Sequence, residues 1–278
     1  MRQFRGEATM VTVLRPLSLS ELLDRTFHLY RNHFLLFVGI MAIPQLFILA
    51  LRLTMAVTST VPFDTYPFAL LVGLVSYVAI EISTAATVLA VSNIHLDRPV
   101  SLGVAFSSAR GSMLRVVLIT FAVGIAAGIG LFFLIVPGIY LWLMWSLAIP
   151  VTVLEGGGLN ASVSRSKELT RGSRGRIFVI YLLVVVLAIM VAIIFQAPLG
   201  VLAVLLGRGN QGSAIALIYA VGAIGSFLST SLVGPLVTIA LTLIYYDQRV
   251  RKEGFDLQLM MSTLEPGSAA APQAASAS

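Results

Sequence analysis

The residues of this chain that could do chemistry fall into two sets, cations bunched between apolar runs and a few polar groups stranded inside them. Arg165, Lys167, Arg171, Arg174 and Arg176 lie between two apolar stretches, and Arg249 and Arg251 follow a third, beside Tyr245, Tyr246 and Asp247. Guanidinium forks match phosphate oxygens and helix N-termini add oriented N–H groups, so these seven are candidate lipid- or phosphate-binding residues. Sidedness charge at the ends of membrane helices would place cations at the same positions, and both readings stay open here. Glu81 stands in the middle of an apolar run, where a carboxylate is costly and is by default a functional candidate. Arg52, Gln45 and Gln196 are the other intramembrane polar candidates, each able to pair with that carboxylate.

Other chemistries find no support. The absence of cysteine removes disulfides, thiolate metal sites and a thiol nucleophile. His28, His33 and His95 have no metal-ligand spacing, so no metal and no cofactor is expected. Ser164-Arg165-Ser166-Lys167 fits an S-x-x-K string but lacks the companion elements of penicillin-binding enzymes. Gly156-Gly157-Gly158 is followed by no G-K-[ST] and reads as a flexible joint. The formal charge of +6 sits at the ends of apolar runs, which argues against a nucleic-acid partner.

The elements that must position these residues are membrane helices. Of the 278 residues 58% are hydrophobic and only 11% charged, against about 25% charged in an average soluble domain. Spans are expected near 34–58, 67–94, 113–136, 139–154, 176–206 and 214–246, since about 20 apolar residues cross the hydrocarbon core. Pro44, Pro198 and Pro235 should kink or interrupt their spans, and Pro137-Gly138 should form the turn between the third and fourth. Gly124 and Gly128 should let a neighbouring helix approach closely, and Trp142 and Trp145 should sit toward an outer interface. Ser18 with Glu21 has the form of a capping box opening an amphipathic helix. Further amphipathic stretches begin near Leu102 and Ala161, so the order interfacial helix, span, span occurs three times.

The fold class is therefore all-α, a polytopic transmembrane helical bundle of about six spans with interfacial amphipathic helices on the cytoplasmic side. Residues 1–14 form a flexible N-terminal arm, 15–256 the helical membrane domain and 257–278 a disordered tail. Only Arg52 and Arg208 of the 18 cations fall at or near the outer face, so the positive-inside rule places both termini in the cytoplasm.

Three stretches carry a family resemblance. Arg15-Pro16-Leu17-Ser18-Leu19-Ser20-Glu21-Leu22-Leu23-Asp24-Arg25 is similar to the entry segment of the bacterial glycerophosphoryl diester phosphodiesterase membrane-domain family. Ala148-Ile149-Pro150-Val151 with Glu155, then Arg165-Ser166-Lys167-Glu168-Leu169-Thr170-Arg171-Gly172, resembles its central loop. Tyr245-Tyr246-Asp247-Gln248-Arg249-Val250-Arg251 resembles its exit from the last span. The resemblance implies a helical membrane domain that in some proteins precedes a soluble phosphodiesterase barrel. The catalytic His, Glu and metal carboxylates of that barrel map to no position of this sequence. The expectation is thus a non-enzymatic multi-pass module of the plasma membrane that engages anionic membrane lipid or another membrane protein. The alternative is a transporter of a lipid or small amphiphile, suggested by prolines within the spans.

Overall fold

The computed structural model describes residues 17–58, 65–206 and 211–254. The expected N-terminal arm, C-terminal tail and the two external loops around Asp64 and Arg208 fall wholly or largely outside them. Among the described residues the chain forms ten α-helices and no strand. They are α1 (Leu19–Asn32), α2 (Phe34–Thr58), α3 (Thr65–His95), α4 (Leu102–Ala109), α5 (Met113–Phe133), α6 (Ile135–Trp145), α7 (Ala148–Glu155), α8 (Leu159–Thr170), α9 (Arg174–Leu206) and α10 (Gln211–Glu253). Six segments are long and apolar enough to cross a membrane, the fourth being α6 and α7 taken together. The short helices α1, α4 and α8 each precede a pair of spans, so the threefold element order is present.

Helix α1 begins as its sequence dictates. Ser18 Oγ accepts from Glu21 N–H and Glu21 Oε2 accepts from Ser18 N–H, which closes the capping box. Helices α2, α9 and α10 run without a break through Pro44, Pro198 and Pro235. Tyr30 Oη donates to the Leu232 carbonyl at 2.7 Å, next to the Ser231 carbonyl that Pro235 deprives of its helical donor.

Helix α10 is the spine. It packs against α9, α2, α3, α1, α7 and α8, and with α3 it is the most enclosed of the spans. Ala85, Ala86 and Ala90 of α3 are buried in one apolar core with Leu147, Ile177 and Ile239. Spans α5 and α9 turn most of their apolar surface outward, the side that lipid would cover.

The hairpin between the third and fourth spans departs from the sequence expectation. The helical run breaks at Leu134, which is extended (φ −155°, ψ 122°), and Pro137-Gly138 lie within the first turns of α6. Proline is tolerated there because an N–H in the first turn has no intrahelical acceptor. Gly138 serves contact rather than turning, since a Cβ on it would lie 2.4 Å from the Leu131 backbone nitrogen. Gly138→Ala should therefore lower stability by about 1–3 kcal/mol through overpacking. Gly128→Ala, whose Cβ meets nothing within 4 Å among the described residues, should raise it by about 0.5–1 kcal/mol. Thermal unfolding of both variants in mild detergent checks the contrast.

Candidate functional site

The cationic stretch folds into a clasp. Asp247, buried near the end of α10, accepts from Leu17 N–H (2.7 Å), Arg176 Nη1 (2.8 Å), Arg251 Nε (2.9 Å) and Gln248 Nε2 (3.2 Å). The same two arginines also donate to the Leu17 carbonyl, at 2.6 Å and 2.5 Å. One carboxylate thus ties the entry to α1, the start of α9 and the end of α10. The Asp247 side chain is fully out of solvent. A buried charge persists only when neutralised and hydrogen-bonded, and Asp247 is both.

A second knot lies around Arg165 on α8. It pairs with Glu155 at the end of α7 (3.2 Å), Glu168 one turn on (3.2 Å) and Glu253 at the end of α10. Burial works against its charge, yet Glu155 and Glu253 outweigh that and hold its pKa above the ordinary guanidinium value. Tyr245 Oη donates to Glu155 Oε1 (2.9 Å), and Arg249 reaches Glu253 (3.0 Å). Lys252 caps the end of α8 by donating to the carbonyls of Glu168 (2.6 Å) and Arg171 (2.7 Å).

Four of the seven candidate cations, Arg165, Arg176, Arg249 and Arg251, are therefore held by internal carboxylates. Arg174 lies over the Tyr140 ring with its guanidinium carbon 4.5 Å from the centroid. Lys167 and Arg171 are exposed, and neither side chain forms an ion pair among the described residues.

Helix α8 also mends the break in the fourth span. Ser162, Ser166 and Thr170, four residues apart, form a buried hydroxyl stripe. Ser166 Oγ donates to the Met144 carbonyl (3.0 Å) and accepts from Leu147 N–H (3.2 Å), while Thr170 donates to the same carbonyl (3.1 Å). Backbone groups freed between α6 and α7 are thereby satisfied inside protein, as an apolar solvent requires. The stripe is legible in the sequence as three hydroxyls at helical spacing.

The intramembrane candidates are not brought together. Arg52 donates to Ser226 Oγ (3.2 Å) and Ser76 Oγ (3.4 Å), linking α2, α10 and α3, and forms no ion pair with Glu81. Glu81 is mid-helix in α3, beside Thr120, and its buried Oε2 has no partner among the described residues. Gln45 and Gln196, expected as hydrogen-bond partners for Glu81, form no hydrogen bond with it among the described residues. Gln45 is buried with Nε2 unpaired, and Gln196 packs over Gly225, where a Cβ would meet its Cγ at 2.7 Å. Among the described residues nothing lies within 4 Å of a Cβ built on Gly124 or Gly128, so no neighbouring helix packs on them there. They face a cleft of about 300 Å³ between α5, α6–α7 and α9, also lined by Trp142, Trp145 and Tyr181. Both tryptophans line this cleft, and Trp145 adjoins the break that α8 closes.

Ten helices, six apolar segments long enough to span and a charge-laced helical end define a multi-pass helical membrane protein. The family model for the membrane domain of glycerophosphoryl diester phosphodiesterase matches residues 115–267, more than half of the chain. The chain belongs to that family. The central-loop and exit motifs fall inside the matched region, and the Arg15 entry segment precedes it. The chain matches no curated protein and no solved structure.

The clasp makes a contrast in stability. Asp247→Asn leaves Arg176 and Arg251 without their shared carboxylate and should cost about 3–5 kcal/mol, as loss of one partner of a buried pair does. Lys167→Gln, at an exposed and unpaired position, should change stability by less than about 0.5 kcal/mol. Denaturation in a mild detergent, followed by helical circular dichroism, measures both.

Proposed function

We propose that this chain is a non-enzymatic plasma-membrane module that engages anionic lipid headgroups at its cytoplasmic face. The observation that carries the reading is the division of labour among the cations. Arg165, Arg176, Arg249 and Arg251 hold the helices together, which leaves Lys167 and Arg171 exposed side by side at the end of α8, next to Arg174. Cations near an anionic leaflet each contribute about 1 kcal/mol of attraction, whether Lys or Arg. The non-enzymatic part rests on the family description, which names the membrane portion of a phosphodiesterase. Transport of a lipid or small amphiphile is the less favoured reading, because Glu81 is not among the residues that line the cleft. A partner membrane protein would meet the same exposed cations only if its surface were acidic.

Replacing both Lys167 and Arg171 by Gln should weaken binding of phosphatidylglycerol to the protein in mild detergent about thirtyfold, from the loss of about 2 kcal/mol. Phosphatidylcholine should bind both forms equally weakly. Unchanged binding to phosphatidylglycerol would remove the headgroup reading.

The cytoplasmic placement has its own test. Single cysteines at Ser108 and Lys167, both exposed, should resist an impermeant maleimide in whole cells, and a cysteine at Asp64 should react. Ser166, although in the same loop region, is a poor reporter because it is buried against Met144. Labelling at Lys167 from outside would reverse the orientation.

A further inference from the structure

Arg52 stands apart from the cations of the clasp. It is the sole charged residue of α2, a span that is otherwise apolar or neutral throughout. A charge within a span is costly and is by default a functional candidate whose partner has to be found.

Three helices fix its depth. At 1.5 Å per residue, Phe34 to Arg52 along α2 is about 27 Å, Ser76 to His95 along α3 about 28 Å and Ser226 to Asp247 along α10 about 32 Å. The hydrocarbon core is about 30 Å thick. The clasp around Asp247 marks one edge of that core with charge, and the Arg52 guanidinium meets Ser76 and Ser226 at the other edge. That is the level at which the opposite leaflet carries its ester and phosphate groups.

The protein leaves this guanidinium unfinished. Nη1 donates to Ser226 Oγ (3.2 Å) and Nη2 to Ser76 Oγ (3.4 Å), and its other N–H groups have no acceptor among the described residues. No carboxylate among them lies within ion-pair distance of it. An arginine near a span end can extend to water, but the two hydroxyls hold this one between α3 and α10.

The two serines differ. Ser76 spends its proton on the Val72 carbonyl (2.6 Å), as Ser83, Thr87 and Thr120 spend theirs on the carbonyl four residues back. It therefore faces Arg52 as an acceptor alone. Ser226 accepts from Arg52, and its own proton has no acceptor among the described residues. A cation without a counter-charge thus stands beside a hydroxyl with an unspent donor, and both residues are only partly buried. Guanidinium and hydroxyl donors together match the oxygens of a phosphate group.

We propose that Arg52 and Ser226 bind a phosphate group, that of a phospholipid in the leaflet opposite the clasp. The unspent guanidinium donors and the Ser226 hydroxyl reach its non-bridging oxygens, while Ser76 anchors the arginine. The site lies at the other end of the spans from Lys167 and Arg171 and is independent of the headgroup contact proposed for them.

Native mass spectrometry of the full chain released from mild detergent tests this, in a parent carrying Lys167→Gln and Arg171→Gln so that the cytoplasmic contact is absent. The parent should retain one phospholipid, and adding Arg52→Gln should lower the retained fraction at least fivefold. Arg52→Lys keeps the charge without the fork and should lower it by a smaller factor. Ser226→Ala should lower it severalfold, and it keeps the test decisive should Arg52→Gln fail to fold. Thr84→Ala, at a span hydroxyl committed to the Ile80 carbonyl, should leave it unchanged. Delipidated parent should regain thermal stability with phosphatidylglycerol, and not with diacylglycerol or inorganic phosphate at the same concentration. Equal retention by the parent and its Arg52→Gln form would overturn the site. Equal stabilisation by diacylglycerol would overturn the phosphate assignment, and equal stabilisation by inorganic phosphate would replace the lipid with a free anion. A rise in retention on Asp64→Asn would show that this carboxylate competes for the guanidinium, and would overturn phospholipid as its resident counter-ion.

Discussion

The fold depends on a buried carboxylate at the end of its longest helix. Asp247 is out of solvent on α10 and is neutralised by Arg176 from α9 and Arg251 from its own helix. Neither arginine is free to move, because each also donates to the Leu17 carbonyl at the head of α1. Within an apolar solvent there is little hydrophobic drive to press one helix on another, so packing and polar ties must do more. The clasp supplies such a tie where α1, α9 and α10 converge. The knot around Arg165 does the same for α7, α8 and α10.

This use of charge alters what the cationic loop can mean. A cluster of arginines between two spans is read most readily as a phosphate site or as sidedness charge. Here Arg165 and Arg176, two of the five cations, are structural ties, and any contact with lipid falls to the positions that the clasp and the knot do not need. Arg171 and Arg174 differ from Arg165 and Arg176 in their partners, not in their residue type. The broken fourth span follows the same logic, since the hydroxyls of α8 take up the backbone groups that the break exposes.

Much of the fold was legible because its signals are local. The bounds of α2, the capping box at Ser18 and the end of α7 at Glu155 each rest on residues within a few positions of one another. The hairpin turn was misplaced at Pro137-Gly138 because glycine and proline mark turns only on average. Gly138 is instead a contact glycine set by Leu131, and Pro137 is harmless in a first turn. The burial of Asp247 was out of reach, since its partner Leu17 lies 230 residues away and no local pattern distinguishes a solvated Asp from an enclosed one. Glu81 drew attention by its apolar surroundings, but its distance from Arg52 and Gln196 depends on how α2, α3 and α9 rotate against each other. The cleft was likewise invisible, because a stripe of small residues looks the same whether a helix covers it or nothing does.

The central claim is that the Arg176–Asp247 pair is an internal tie and not a surface charge. A double-mutant cycle with Arg176→Gln and Asp247→Asn, read as unfolding free energy in mild detergent at two salt concentrations, measures it most directly. The account predicts a coupling of about 2–3 kcal/mol that changes little with added salt, as expected of a hydrogen-bonded pair shielded from solvent. A coupling below about 0.5 kcal/mol that vanishes in salt, the behaviour of an exposed ion pair, would contradict it.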